Sequence, residues 1–496
     1  MISRKHAASF VIAISLTLWP AAVRSDPEDA APAFDPARKF PAEKLREDFT
    51  VFREALKEGH PGLYRYSTKE KLDETLTAVF NGLNEPLTEF EFLRRLQPLV
   101  ASIGCTHTYC LVSEAADKWL KEQPVQPPVK LKISERKAYV VRSSGDDPPA
   151  PGSELVVFNG QPVADIIPQL LPFLSVEGRI DSARQRYAED PVRFGLYTTV
   201  LLGPSKSFTM KYIAPGGDIE RTAKLAGVNL TELMKLDKQW EKELGAPSEP
   251  ISLGYREGIP VLTIRSLKRD EFSKSRIDYP ALLQDVFREL NEKSVPALIV
   301  DLRDNEGGGS ANTTALLAHF LDQSFQHLAS MEVKKHEYDF FRYARLTPDQ
   351  RRVPEHLAKP NDHGTLDITE HPTLGMQDPT PPVYNGRVYL LINGRTSSAA
   401  AQFVALMHFH QRAKIIGAEG DIDRFGSQGG WLATLSLPNT KARVQIPLMR
   451  LTLAVSGDPA NRRIVPDYPV ETTIDDIVAG RDPVMQKAMA LASTSE

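Results

Sequence analysis

The sequence lacks any block of lysine and arginine dense enough to follow a phosphate backbone, although it contains 60 of these residues in 496. Because the formal net charge is also −4, we expect no nucleic-acid partner. Beyond the N-terminus, no apolar run reaches the length of a bilayer, so no stable membrane insertion is predicted. Hydrophobic residues make up 41% and charged residues 25%, which is typical of a globular enzyme, and the length predicts two or three domains.

The N-terminal segment 1–25 has the pattern of a secretory signal peptide. Arg4 and Lys5 precede a short apolar run over 7–18, and Val23 and Ser25 stand at the −3 and −1 positions of a cleavage site. An uncleaved anchor is the alternative, but the apolar run is short for it. No cysteine follows the run, which excludes a lipoprotein anchor. The predicted location is therefore periplasmic or secreted.

Cysteine is scarce, and the two that occur, Cys105 and Cys110, are close together in "GCTHTYC". An exported protein meets oxidising conditions, in which the pair could form a disulfide. Spacing alone does not decide this, and two small buried thiols are the alternative.

Segment 26–40 is predicted to be a flexible lead-in, and 41–125 an N-terminal helical domain. Within 41–125, apolar residues recur at three- and four-residue steps in three stretches, as in amphipathic helices. Thr88 and Glu91 have the spacing of a capping box at the start of the third helix, and Gly104 suits its end.

The rest of the chain divides into three further parts. Short strands with an Asn-Gly turn are predicted over 126–225, and a polar helical connector over 226–250. From 251 to 480, strands alternate with helices, which predicts an α/β layer fold. A polar stretch over about 330–380 interrupts it, and its length suggests a lid or a substrate wall.

Two strand ends in the α/β part carry residues suited to chemistry. In "IVDLRDNEGGGS", three glycines follow a buried strand, so their backbone N–H groups could face one point and hold an oxyanion. In "LLINGRTSSAAAQF", Ser397 and Ser398 open a helix, whose N-terminus stabilises negative charge. Each motif also has a structural interpretation, a tight turn for the glycines and an N-cap for Thr396 or Ser397.

A nucleophilic serine needs a base, and the nearest histidines are badly placed. His408 and His410 are ten and twelve residues along the same helix from Ser398, about 15 Å or more away. They also point to different faces of that helix, so "HFH" is a poor metal pair. His107, which follows a helix end beside small hydroxyl residues, could be a base, a metal ligand or a buried structural residue.

These motifs together resemble serine peptidase family 41, the tail-specific or C-terminal processing proteases. "IVDLRDNEGGG" is similar to the family's strand and glycine turn, "TSSAAAQF" to its serine motif, and "SIGCTHTY" to the histidine segment of the tricorn-like branch. The resemblance spans about 43–471. It implies an α/β multidomain protein with an N-terminal helical bundle, a PDZ-like β-rich domain at 126–225 and a crotonase/ClpP-like protease core at 251–480.

The resemblance also implies roles for individual residues. Ser398 would be the nucleophile, and His107 the general base of the histidine branch. The oxyanion would be bound by the backbone N–H groups of Ala399 and of Gly307 or Gly308.

The sequence departs from the family pattern at several positions. Ser427 stands where the processing-protease branch has its lysine, which favours the histidine branch. Thr106 would supply the hydroxyl that the tricorn-like site has beside its histidine. The expected late glutamate is absent, and Asp458 is the nearest carboxylate. Glu306 replaces a glycine of the oxyanion motif.

Three other polar residues have structural interpretations. Asp301 and Arg303 are expected to brace the glycine turn through hydrogen bonds, and His60 is expected to be structural because it precedes a proline turn.

The predicted function is a secreted serine endopeptidase that acts on a peptide or protein and uses no metal or organic cofactor. The alternative is a catalytically inactive peptide- or ligand-binding protein on the same scaffold. A third hypothesis, an acyl-CoA enzyme of the crotonase type, has no support in the sequence. The sequence does not indicate an oligomeric state.

Overall fold

Three six-stranded sheets organise residues 33–494, the part of the chain that the computed structural model describes. The structure is mixed α/β and consists of several layered units, as the sequence predicts. Its α-helices are Ala42–Gly59, Lys69–Asn81, Glu89–Ser102, Glu114–Glu122, Val163–Leu170, Asp181–Ala188, Pro191–Leu202, Leu230–Glu243, Arg269–Lys274, Tyr279–Glu292, Ser310–Leu317, Pro348–Arg351, Ser398–Phe409, Ile474–Val478 and Pro483–Ser493. Among these helices, none is long and apolar enough to cross a membrane.

The predicted signal peptide and most of the predicted lead-in fall outside the described residues. The end of the lead-in, over 33–40, is packed and not flexible. Phe34 lies against the rings of Phe90 and Trp119, with a centroid distance of 5.6 Å to each. Strand Lys39–Phe40 pairs with Leu87–Thr88. Aromatic burial and strand pairing therefore order this segment.

The N-terminal helices are amphipathic, as predicted. The third, Glu89–Ser102, begins with the expected capping box, in which the Thr88 side chain accepts a hydrogen bond from Glu91 N and the Glu91 side chain accepts one from Thr88 N. Gly104, just after its end, has φ +77°, a conformation that favours glycine. His107 thus lies three residues after the glycine that ends this helix.

An antiparallel sheet occupies the predicted strand-rich region. Its strand order is Val129–Ser134, Lys137–Ser143, Glu154–Phe158, Ser207–Ile213 and Glu220–Ala226, with Gln161–Pro162 paired to the third strand. Residues 181–202 form two helices, whereas the sequence pattern favours short strands in this part of 126–225. The second begins at Pro191, where Asp190 caps the helix by accepting from Arg193 N at 2.9 Å.

A second sheet, the parallel sheet, forms the centre of the α/β part. Its order is Ile251–Arg256, Ile259–Ile264, Ala297–Asp301, Arg387–Ile392, Lys414–Gly417 and Tyr468–Pro469, and all neighbours except the first pair are parallel. The central strands are buried on both faces, which explains their continuous apolar sequences. Helix Pro483–Ser493 covers one face, on which Ile299, Leu391 and Ile416 lie.

The third sheet joins the N-terminal region to the α/β part. Its order is Ala358–Pro360, Leu366–Ile368, Leu328–Val333, Arg443–Leu453 and Gly426–Ser436, and strand Tyr109–Leu111 also pairs with Arg443–Leu453. The polar stretch at 330–380 is thus an ordered extension of a sheet. The pairing of Tyr109–Leu111 fixes the segment that carries His107 against the C-terminal half of the chain.

The turn of the hairpin 426–453 depends on a buried carboxylate from the first helix. Asp48 is fully buried and accepts hydrogen bonds from Asn439 N at 2.7 Å, Thr440 N at 2.8 Å and Thr440 Oγ1 at 2.6 Å. Replacing Asp48 with alanine would leave these donors buried and unpaired. We expect Asp48→Ala to lower the free energy of unfolding by about 2–3 kcal/mol in urea denaturation.

Glu54→Ala is the matched control on the same helix. The Glu54 side chain is exposed and contacts only Arg53 at 3.2 Å, so we expect a change within about 0.5 kcal/mol. Equal losses in the two variants would contradict this account of the hairpin turn.

Candidate active site

Functional side chains gather at the carboxyl edge of the parallel sheet. Strand Ala297–Asp301 leads into the glycine turn, Arg387–Ile392 leads to Ser398, and Lys414–Gly417 leads to Asp421. Because these strands are parallel, the loops that follow them lie at one edge. That edge is where open α/β sheets bind their ligands.

Ser398 begins helix Ser398–Phe409 in a strained backbone conformation. Its φ is +53°, which is unusual for a residue other than glycine and which is found preferentially at functional sites. The side chain is partly exposed, and within residues 33–494 its Oγ has no hydrogen-bond partner. The structure thus presents a free hydroxyl at the positive end of a helix.

The glycine turn lies directly against this serine. A Cβ atom added to Gly307 would be 2.6 Å from Ala399 N and 2.7 Å from Ser398 Cβ, closer than real Cβ atoms approach. Gly307 also has φ +86°, so both space and backbone conformation require glycine here.

The two glycines of the turn differ in their backbone amides. Gly307 N donates to Asn305 Oδ1 at 2.8 Å, so the prediction that either glycine could bind an oxyanion is corrected for Gly307. Among the described residues, the N–H groups of Gly308 and Ala399 have no hydrogen-bond acceptor. Gly308 and Ala399 therefore supply two free N–H donors, one from the glycine turn and one from the serine loop.

The segment 105–111 places His107 in the interior. The ring lies beneath Gly429, whose added Cβ would be 3.5–3.7 Å from three imidazole atoms, and the His107 carbonyl accepts from Gln445 Nε2 at 3.1 Å. Burial lowers the pKa of His107 to about 4, and a hydrogen bond to the Gln428 backbone opposes this shift only in part. The imidazole is therefore uncharged at neutral pH, and its Nδ1 is buried without a hydrogen-bond partner.

Among the described residues, no hydrogen bond joins Ser398 Oγ to the His107 ring, but Asp421 links their neighbours. Asp421 Oδ2 accepts from Thr106 Oγ1 at 2.7 Å, next to His107. Asp421 also forms a parallel β-bridge with Ser397, next to Ser398. The two segments therefore meet at one fully buried residue, whose carboxylate holds Thr106 and whose backbone pairs with Ser397.

Asp421 has two more partners from the helical part of the strand-rich region. Its Oδ1 accepts from Glu177 N at 2.7 Å, and its Oδ2 from Tyr187 OH at 3.2 Å. Burial raises the pKa of Asp421 to about 6, and the hydrogen bonds from Thr106, Glu177 and Tyr187 limit that rise. Sequence reasoning missed Asp421, although it follows strand Lys414–Gly417 just as Ser398 follows strand Arg387–Ile392.

The two residues predicted to assist His107 lie in different surroundings. Thr106 donates to Asp421 and is thus close to the candidate site. Asp458 is exposed and accepts from Ala460 N at 2.9 Å within its own turn, and it has no contact with His107 among the described residues. The cysteines next to this segment, Cys105 and Cys110, are both buried free thiols.

Glu306, the unusual residue of the glycine turn, is neutralised by arginines. It contacts Arg193 at 2.8 Å and Arg395 at 2.9 Å. Burial would raise the pKa of this carboxyl group, but the two guanidinium groups outweigh burial and hold the pKa well below its usual range. Arg395 also contacts Asp190 at 3.4 Å, so this charged cluster fixes helix Pro191–Leu202 to both loops of the candidate site.

The three polar residues with predicted structural roles, Asp301, Arg303 and His60, all make hydrogen bonds. Arg303 forms a two-pronged contact with Asp301, at 2.9 and 2.7 Å, and also contacts Asp482 at 2.8 Å, so the pair braces the turn as predicted. His60 is buried and bonds to Thr108 Oγ1 at 2.9 Å. Its contacts fit the predicted structural role.

One set of side chains in the described part has the chemistry of a metal site. Cys105, His107 and Glu177 are all buried, and one ligand atom from each lies within 4.8 Å of the others. The set contains His107, the predicted general base.

Comparison with known proteins identifies the class of this α/β core. Residues 261–470, which contain the glycine turn and Ser398, match the model of peptidase family S41. This match assigns the α/β core of the chain to peptidase family S41. His107 lies outside the matched residues. No curated protein sequence matches the chain at a significant level.

Solved structures of CPAF resemble the chain over nearly its whole length. Mature CPAF has a TM-score of 0.59 at 16% identity, with 91% of this chain and 96% of that chain covered. Mature CPAF in complex with lactacystin has a TM-score of 0.61 at 16% identity, covering 91% and 98%. A CPAF serine-to-alanine mutant has a TM-score of 0.62 at 15% identity, covering 91% and 96%. At such identities the likeness shows a shared fold.

The contact between Gly307 and the serine loop gives a direct test of the site geometry. We expect Gly307→Ala to lower the free energy of unfolding by about 2 kcal/mol more than Gly245→Ala does. Both glycines have a positive φ, +86° and +76°, but a Cβ at Gly245 would meet nothing within 4 Å. The control therefore carries only the backbone cost, about 1–2 kcal/mol. Equal destabilisation in urea denaturation would contradict the close approach of the two loops.

Proposed function

We propose that the chain is a serine peptidase in which Ser398 is the nucleophile and His107 is the general base. The observation that carries this proposal is the strained, unpaired Ser398 hydroxyl, which opens a helix against the glycine turn. Assignment of the α/β core to peptidase family S41 supports peptide-bond hydrolysis as the reaction.

The first chemical step transfers a proton and forms a bond. His107 takes the proton of Ser398 Oγ, while that oxygen attacks the carbonyl carbon of a peptide. An uncharged imidazole is the form that can accept this proton, and burial keeps His107 uncharged at neutral pH. Catalytic hydrogen bonds are often long without substrate and shorten in the substrate complex. The absence of a Ser398–His107 hydrogen bond in the described part of the structure is therefore compatible with the proposed roles.

The carbonyl oxygen becomes negatively charged as the bond forms. The N–H groups of Gly308 and Ala399 are free donors of the glycine turn and the serine loop, and we assign the oxyanion to them. The N-terminus of helix Ser398–Phe409 adds a favourable dipole. Gly307 has a different role, because it provides the space in which the two loops approach each other.

His107 then gives its proton to the leaving amine, and the acyl-enzyme forms. In the second half of the reaction, His107 takes a proton from water as the water oxygen attacks the acyl carbon, and it returns this proton to Ser398 Oγ as the acyl group is released. Export through segment 1–25, peptide binding by a PDZ-like region at 126–225 and endopeptidase specificity remain predictions from the sequence.

The alternative function is a peptide-binding protein without catalysis. Two observations favour it, the absence of a Ser398–His107 hydrogen bond and the distant position of Asp458. The two functions differ in whether Ser398 reacts with a serine-directed covalent probe.

We expect wild-type protein to hydrolyse an unfolded protein substrate and to be labelled by a fluorophosphonate. Ser398→Ala should lose the label, because the acceptor oxygen is gone, and should reduce kcat at least about 10³-fold. His107→Gln should label much more slowly, because no group then removes the serine proton. Intact-mass spectrometry and a fluorescence hydrolysis assay measure these outcomes.

Ser310→Ala is the control, because Ser310 also opens a helix just beyond the glycine turn. It should keep both labelling and hydrolysis. Wild-type protein that folds but neither hydrolyses nor takes the label would overturn the peptidase proposal in favour of the binding protein.

A further inference from the structure

Two buried polar atoms near the candidate base have no partner. They are Nδ1 of His107 and Oε1 of Glu177, and both side chains are more than nine-tenths buried. A ring nitrogen of His107 and a carboxylate oxygen of Glu177 lie within 4.8 Å of each other. Buried polar atoms without partners are rare and costly, so two of them on neighbouring side chains need an explanation.

The loop that carries Glu177 is held firmly against the loop that carries His107. Gly178 N donates to Gly104 O at 3.0 Å, and Ser175 Oγ donates to Thr108 O at 2.6 Å. These two hydrogen bonds lie on either side of Glu177 and on either side of His107. The side chains are therefore neighbours because the backbones are joined.

Only one of the two oxygens of the Glu177 carboxyl group has a hydrogen-bond partner among the described residues. Its Oε2 accepts from Tyr66 OH at 3.1 Å, and its backbone N donates to Asp421. Oε1 remains open, and because a Glu177 carboxylate oxygen and a His107 ring nitrogen are at most 4.8 Å apart, an approach of at most about 2 Å reaches hydrogen-bond distance. A rotamer change of either side chain supplies this approach while the loops stay joined.

We propose that Glu177 is the positioning residue that orients His107, in place of the late glutamate that this sequence lacks. This inference rests on the proposed function. Glu177 Oε1 accepts the Nδ1 proton of the neutral imidazole. In this tautomer Nε2 gives up its hydrogen bond to the Gln428 backbone and presents its lone pair to the Ser398 proton. When Nε2 takes that proton, the Nδ1 proton stays on the ring, and the positive ring is stabilised by the carboxylate.

The charges around the pair fit this role. Arg65, Tyr66, Asp421 and Asp423 are the charged and titratable groups around Glu177. Cys105 and His60 are titratable neighbours of His107. Burial raises the pKa of Glu177 to about 8, Arg65 opposes this, and the two aspartates add to it. Glu177 must therefore lose its proton to solvent before Oε1 can accept the Nδ1 proton of His107, and a positive charge arriving on His107 favours that ionised form.

The test compares Glu177→Gln with wild-type protein. We expect kcat to fall about 10³–10⁴-fold while KM changes little, because glutamine keeps the shape but not the charge. The pH profile of kcat/KM should change as well, because the variant lacks the group that must ionise before it can accept the Nδ1 proton. Glu177→Asp should recover part of the kcat, because it restores the carboxylate.

Glu89→Gln is the matched control. Glu89 is a buried glutamate of the same N-terminal half, and its Oε1 accepts from Ser113 N at 2.6 Å, away from His107. It should keep the wild-type kcat and pH profile. Thermal unfolding of each variant distinguishes loss of positioning from loss of fold.

A measurement on unmodified protein covers the case in which Glu177→Gln does not fold. Histidine NMR of the wild-type chain should show a strongly deshielded Nδ1 proton on His107, as expected for a proton shared with a carboxylate. If wild-type labelling and hydrolysis depend on Ser398, but Glu177→Gln keeps its kcat and pH profile or the deshielded proton is absent, the positioning role is overturned and the peptidase proposal stands. If wild-type protein takes no label, the peptidase proposal itself fails.

Discussion

The buried carboxylate of Asp421 is the contact on which the candidate site depends. His107 and Ser398 stand almost three hundred residues apart in the chain, on different structural units. Asp421 binds the Thr106 hydroxyl on one side and pairs with Ser397 on the other. It also holds Glu177 N and Tyr187 OH. The side chain and the backbone of this one residue thus fix the segment of Thr106, the segment of Glu177 and Tyr187, and the serine loop relative to one another.

Such an arrangement is costly, since it buries several carboxyl groups in one region. Asp423 is compensated by Arg65 at 2.7 Å, and Glu306 by Arg193 and Arg395. Asp421 has only neutral donors, and burial accordingly raises its pKa to about 6. The site therefore has two parts. Charged pairs, such as Glu306 with Arg193 and Arg395, hold the loops in place, and near the imidazole Asp421 is held by neutral donors only. Partnered buried charges of this kind hold geometry more than they add stability.

Much of this architecture could be read from local sequence patterns. The capping box at Thr88 and Glu91, the buried strand Ala297–Asp301 and the helix that begins at Ser398 follow from periodicity and turn chemistry. Local patterns could not reveal helix Asp181–Ala188, because it is polar and has no capping side chain, whereas Asp190 and Pro191 were an available signal for the next helix. They also could not show that Gly307 N is already bonded to Asn305.

The partners of the imidazole were beyond sequence reasoning for a different reason. Asp421 and Glu177 approach His107 only through the folding of distant loops, and nothing in "GDID" or "SVEG" marks a functional carboxylate. The position of Asp421 after a parallel strand was the available signal. The position of Glu177 had none, since its loop is placed by two backbone contacts, from Gly178 N and to Thr108 O.

The most direct test of the central claim is a double-mutant cycle between Thr106→Val and Asp421→Ala, measured as the rate of fluorophosphonate labelling of Ser398. Both changes break the same contact, so we predict strongly non-additive effects, with the double variant little slower than the slower single variant and a coupling energy of at least about 1 kcal/mol. Additive losses would mean that the Thr106–Asp421 contact does not hold the two halves of the site together, and would contradict this account.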